Sequence, residues 1–220
     1  MIRGYGHFIV VASFAAALVG SAPLRTAFQF GGDEGYELMK GFLCSRGFSL
    51  YQQIWNDQPP LHTALLAGLF KLFGPSAYAG RLLTVALASL LVWALYQSVS
   101  RQAGQIAALV SALLLLSSPH FFQLSVSVMI ELPAMALSLA GTLAFFVFLE
   151  NGRTFWLVLS GGLMGCALQI KLTAAIFFPA LFVQWFVARH RLKSANQSPV
   201  TSAPSASVGT VKRGLAALGI

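Results

Sequence analysis

The chain has 220 residues, of which 57% are hydrophobic and only 9% charged, against about 25% charged in a typical soluble domain. Its formal charge is +8, yet the basic residues recur singly between apolar runs. That argues against nucleic acid as a partner and fits the topology determinants of a membrane protein. Cys44 and Cys166 make no disulfide framework, and no Cys/His spacing reads as a metal site.

A bilayer core of roughly 30 Å needs about 20 mostly apolar residues per helix. The first such run is about Phe8 to Leu24, preceded by Arg3. Gly20-Ser21-Ala22 has the small-residue character of a signal-peptide cleavage site, but a retained anchor is the expectation. Residues 25–77 form the one substantial polar interval before the tail, expected as an outer loop. Within it Tyr36, Met39, Phe42 and Leu43 recur at helical spacing among Glu34, Glu37 and Lys40, which predicts a short helix in the interface plane. Pro59-Pro60 break the chain. A second short apolar helix is expected from Leu61 to Phe73, ended by Gly74-Pro75.

Further apolar runs follow at about 78–98, 104–118, 132–149, 155–170 and 172–188, making about six spans. A cytoplasmic N-terminus puts Arg3, Arg101, Arg153 and the cluster Arg189, Arg191, Lys193 all inside, as the positive-inside rule asks. The acids fall the other way. Asp33, Glu34, Glu37, Asp57 and Glu131 are outside, and Glu150 is within. The fold expected is all-α, a polytopic membrane helix bundle over residues 1–189 with short interfacial helices in the first outer loop. Residues 190–220 follow it. From Ser194 to Thr210 Ser, Pro and Ala suggest a flexible linker, and the fresh apolar start from Leu215 to Ile220 suggests the front portion of a longer protein.

Three sets of outer residues carry possible chemistry. Asp33 and Glu34 are adjacent carboxylates at a membrane surface, one of which can serve as a general base. Asp33 also suits the cap of the interfacial helix. Asn56-Asp57-Gln58-Pro59-Pro60-Leu61-His62 sets polar residues beside stiff prolines, or forms a plain turn. Arg81, Glu131 and Lys171 are charges at span boundaries, where function competes with snorkelling and, for Glu131, with helix capping.

Taken together these residues resemble the polyprenyl-phosphate-sugar-dependent glycosyltransferases of the GT-C fold, which include the protein O-mannosyltransferases and the aminoarabinose transferase of lipid A. The resemblance runs from about Arg3 to Arg189. It rests on Asp33-Glu34-Gly35-Tyr36, Leu50-Tyr51, Asp57-Gln58-Pro59-Pro60-Leu61, Leu72-Phe73-Gly74, Ala79-Gly80-Arg81-Leu82, Ser117-Ser118-Pro119, Glu131, and Gly165 through Lys171 closed by Pro179. It implies sugar transfer at the outer face, from a polyprenyl-phosphate-linked donor to a lipid, glycan or protein acceptor. Metal-dependent nucleotide-sugar chemistry is not expected, and no cofactor is implied.

By the same resemblance Asp33 is the base and Glu34 orients the acceptor. Arg81 and Lys171 would stabilise the departing phosphate. Pro59 and Pro60 would shape the cavity floor, with Tyr36, Asp57, Gln58, His62 and Glu131 as substrate contacts. The sequence departs from the family at Gln58, where a basic residue is common, and at Glu131, where Asp is. The expected location is a bacterial inner membrane. The alternatives are a transporter subunit, which would show an internal repeat that is not visible here, and a non-catalytic membrane scaffold.

Overall fold

The computed structural model describes residues 6–22, 24–26 and 32–197. Arg3, Gly31 and everything from 198 onward, including the apolar start at Leu215, lie outside the described residues. Eight α-helices are present among those described: α1 (Gly6–Ser21), α2 (Gly32–Ser45), α3 (Leu61–Phe73), α4 (Ala77–Leu116), α5 (Pro119–Val126), α6 (Glu131–Asn151), α7 (Thr154–Leu168) and α8 (Phe178–Gln197). A 3-10 turn, Leu172–Phe177, leads into α8.

Local chemistry sets most of the boundaries. Gly74 closes α3 at φ 80°. The Ser76 and Ser118 hydroxyls accept from the backbone N–H of Ala79 and Phe121, opening α4 and α5, and Pro119 takes the first turn of α5, where its missing N–H costs nothing. Gly152 ends α6 in the left-handed conformation, a usual helix stop. The helix from Leu61 to Phe73 and the break at Gly74 match the sequence expectation.

A straight α4 of 40 residues would reach about 60 Å, twice the bilayer core. It is not straight. Gly104 adopts φ 89°, ψ 173°, a region essentially reserved for glycine, and divides the helix into two limbs that match the runs expected at 78–98 and 104–118. The second limb comes back. Glu34 Oε1 bonds Arg81 at the start of α4 and also the backbone N–H of Val128, so the chain has returned to the same end by residue 128.

The last three helices form a similar zigzag. On Gly141 of α6 a Cβ would sit 3.2 Å from the Ser160 carbonyl of α7, so these helices touch closely through small residues. Lys171 is extended (φ −150°), which stops α7, and Ala188 of α8 packs with Phe148 and Leu149 of α6. Residues 155–188 therefore form two limbs, as the runs at 155–170 and 172–188 lead one to expect.

The main core joins four helices through Phe14, Leu18, Val85, Val92, Phe121 and Leu132. Three described helices have the length and apolarity to cross a membrane, with α1, α3 and α7 shorter apolar helices. The bundle presents apolar side chains outward, Phe182 and Phe186 of α8 among them, as a surface in lipid does. One expectation is corrected: α8 continues to Gln197, so the first residues assigned to a linker at Ser194 extend the helix instead.

Candidate active site

Helix α2 decides the site. Its buried residues are Glu34, Glu37, Lys40 and Gly41, spaced three and four apart on one face, while Tyr36 and Met39 are 41% and 55% exposed. Charge thus shares the buried side with Leu38 and Phe42, which pack against Leu66 and Phe70 of α3, where a soluble helix would keep an apolar stripe. Gly41 lets the face approach α3, because a Cβ there would meet Leu66 Cβ at 2.7 Å.

The buried charges are satisfied in two networks. Arg81 donates from Nε and Nη2 to the two Glu34 oxygens, both at 2.8 Å, a bidentate pair. Its Nη1 donates to the carbonyls of Leu24 at 3.1 Å and Thr26 at 2.9 Å. Lys40 Nζ donates to Glu37 Oε1 at 2.6 Å and to Asn56 Oδ1 at 2.8 Å. His62 Nδ1 lies 3.3 Å from the other Glu37 oxygen. Burial alone would raise the Glu37 carboxyl, but hydrogen bonding and charge from His62 and Lys40 hold it below its ordinary value.

Beside these networks opens a cavity of about 300 Å³. Asp33, Tyr36 and Glu37 of α2 line one part of it, Trp55, Asp57 and Gln58 of the following loop another, and Met129, Ile130, Glu131 and Lys171 the rest. Lys171 Nζ donates to Glu131 Oε1 at 2.5 Å, and Gln58 Nε2 donates to Asp57 at 3.1 Å. The Tyr36 hydroxyl donates to the Trp55 carbonyl at 3.2 Å. Burial, then the carboxylates of Asp57 and Glu37, push that phenol up. Asp33 is exposed in the first turn of α2. It makes no side-chain hydrogen bond among the described residues.

The expected residues thus separate. Asp33, Tyr36, Asp57, Gln58, Glu131 and Lys171 converge on the cavity from four stretches of chain. Glu34 and Arg81, expected at the substrate, lie behind it and hold each other. His62 is buried against Glu37 and does not line the cavity. Pro59 and Pro60, expected at the floor, do not line it either. Pro60 precedes α3, whose Leu61 N–H donates to the Gln169 carbonyl at 3.0 Å and ties this loop to the end of α7. Sequence reasoning passed over Glu37 and Trp55 as site residues. The charged stripe Glu34, Glu37, Lys40 opposite Tyr36 and Met39 was the available signal for the first, whereas Trp55 carried none. Among the described residues no group of three His, Cys, Asp or Glu side chains is arranged to hold a metal ion.

Residues 57–210 match the family model described as dolichyl-phosphate-mannose-protein mannosyltransferase. The match takes in Asp57, Gln58, Glu131 and Lys171, while Asp33 and the rest of α2 precede it. No curated protein and no solved structure gives a match.

Proposed function

The chain belongs to the dolichyl-phosphate-mannose-protein mannosyltransferase family, and from that premise we propose a multi-pass membrane glycosyltransferase that moves a hexose or pentose from a polyprenyl-phosphate carrier to an acceptor hydroxyl on lipid, glycan or protein. One observation carries the assignment of the base. Of the cavity carboxylates, Glu37 is held by Lys40, Asp57 by Gln58 and Glu131 by Lys171, and Asp33 alone has no hydrogen-bond partner among the described residues. A general base needs an available lone pair within reach of the proton that it takes.

Asp33 takes the acceptor's proton as the acceptor oxygen attacks the anomeric carbon. The bond from that carbon to the phosphate oxygen breaks, and its electron pair leaves on the lipid phosphate. Lys171, oriented by Glu131, is the cation for that anion near a low-dielectric boundary. Gln58 offers an amide N–H beside it, while Tyr36 and Asp57 contact the sugar. Glu34 with Arg81, and His62 with Glu37, position α2, and of these four only Glu37 also lines the cavity. Arg101 and Arg153 belong to the opposite end of the bundle, which by the positive-inside rule supports a cavity on the outer face and a cytoplasmic N-terminus; the membrane proposed is a bacterial inner membrane.

The test is transfer of radiolabelled sugar from a polyprenyl-phosphate donor in membranes, comparing the chain with Asp33→Asn. Label reaching acceptor only with the parent supports the reading and identifies the acceptor fraction. Equal transfer by both proteins removes Asp33 as base, and inertness across donors of both the chain and a version extended beyond Ile220 removes the glycosyltransferase.

A further inference from the structure

The loop between α2 and α3 is unusually constrained for a surface segment. Tyr51 takes a positive φ of 71°, a strained conformation for a residue with a side chain, and its N–H donates to the Ile54 carbonyl at 2.8 Å. The Tyr51 hydroxyl and Asn56 Nδ2 both donate to the Gln58 carbonyl at 2.7 Å. Ile54 and Asn56 are buried on either side of Trp55, yet Trp55 itself is 70% exposed and lines the cavity. Its ring meets Tyr36 at 6.2 Å with the planes inclined by 54°. The backbone is therefore pinned on both flanks while a large apolar ring is left facing a chamber whose other walls carry carboxylates and an amide.

Two aromatic faces at an angle, edged by hydrogen-bonding groups, match one ligand chemistry closely. A sugar ring has an apolar C–H face and a rim of hydroxyls. An indole takes the face, and carboxylates or amides take the rim. A cavity of about 300 Å³ is at the small end of ligand pockets, which run from roughly 300 to 1,000 Å³, as suits one ring more than an oligosaccharide. A membrane anchor would also expose a Trp at an interface, but it would not need to line the polar cavity or to have its own carbonyl bonded by a cavity tyrosine.

We propose that Trp55, cornered by Tyr36, is the stacking platform for the sugar ring of the donor, and so a residue that determines which sugar is transferred. This rests on the glycosyltransferase reading above. The full chain in nanodiscs is titrated calorimetrically with citronellyl phosphate and with a panel of citronellyl phosphohexoses and phosphopentoses, for the parent, Trp55→Leu and Trp55→Phe. Expected is a loss of about tenfold in affinity for the parent's preferred phosphosugar in Trp55→Leu, the scale of one ring-stacking contact. Trp55→Phe should stay within about threefold, and citronellyl phosphate should bind all three proteins alike. Equal weakening of phosphate and phosphosugar, or no weakening in Trp55→Leu, overturns the platform and leaves the enzyme reading standing. A parent that binds no member of the panel overturns the glycosyltransferase reading and the platform with it. Unfolding midpoints equal to the parent's, expected for so exposed a side chain, show that both variants fold.

Discussion

The two ends of the bundle both carry charge, and they hold it in opposite ways. At the cavity end Glu34, Glu37, Lys40, His62 and Arg81 are buried and bonded to one another. At the other end Arg101 pairs with Glu150, their side chains 35% and 39% exposed. Burying an ion costs several kcal/mol unless its geometry and partners are complete, whereas an exposed pair contributes little either way. A membrane protein can place charge at an interface without burying any of it. That this one buries five ionisable side chains, three on a single short helix and two beneath it, indicates that the position of that helix matters more than the cost of fixing it.

The contrast can be broken at several points. The largest effect is expected at Asp33, where Asn should lower transfer by roughly 10²–10⁴-fold while leaving the unfolding midpoint in detergent unchanged. Next is Arg81→Met, which strands the Glu34 carboxylate in the interior. It should cost about 3–5 kcal/mol of stability, and the double variant Glu34→Gln, Arg81→Met should recover part of that loss in denaturant unfolding.

A smaller effect concerns acid. The Glu37 carboxyl lies below its ordinary value of 4.5 in the folded state, so its stabilisation is complete above that value and disappears as pH falls through the lower, folded one. Glu37→Gln should therefore make the acid-side decline of the unfolding midpoint shallower, measured between about pH 6 and pH 3. Least affected should be Arg101→Gln, at under about 1 kcal/mol. A loss there as large as at Arg81 would mean that the two ends do not differ as described.

Much of the architecture is legible in the sequence because lipid imposes a simple rule. Apolar runs become helices, and Gly74-Pro75 and Ser118-Pro119 punctuate them where backbone chemistry says they must. The gathering of Asp33, Asp57 and Glu131 at one end follows from counting runs. Adjacent residues are harder. Asp33 and Glu34 look equivalent in one dimension, but each helical step turns a side chain by about 100°, and that turn leaves one at the cavity and the other beneath it. The choice is fixed by Arg81, 47 residues on, and Val128, 94 residues on, and neither advertises its partner. Glu37 is legible only as part of a charged stripe, and Glu and Lys three apart ordinarily mark a solvated face. Trp55 depends on a backbone conformation at Tyr51 that no residue preference predicts.

The buried charges of α2 also have a consequence in time. Val128 lies 94 residues beyond Glu34, and at roughly 5–20 residues per second that stretch takes about 5–20 s to translate. For the first half of that interval Glu34 has neither Arg81 nor the turn before α6 to close over it, while Glu37 already has Lys40 and, 25 residues on, His62. The last bond to Glu34 can form only once Val128, just beyond α5, has been made. Residues made early for the chamber thus wait on a residue made much later, and a nascent chain stalled before Val128 leaves the Glu34 network incomplete.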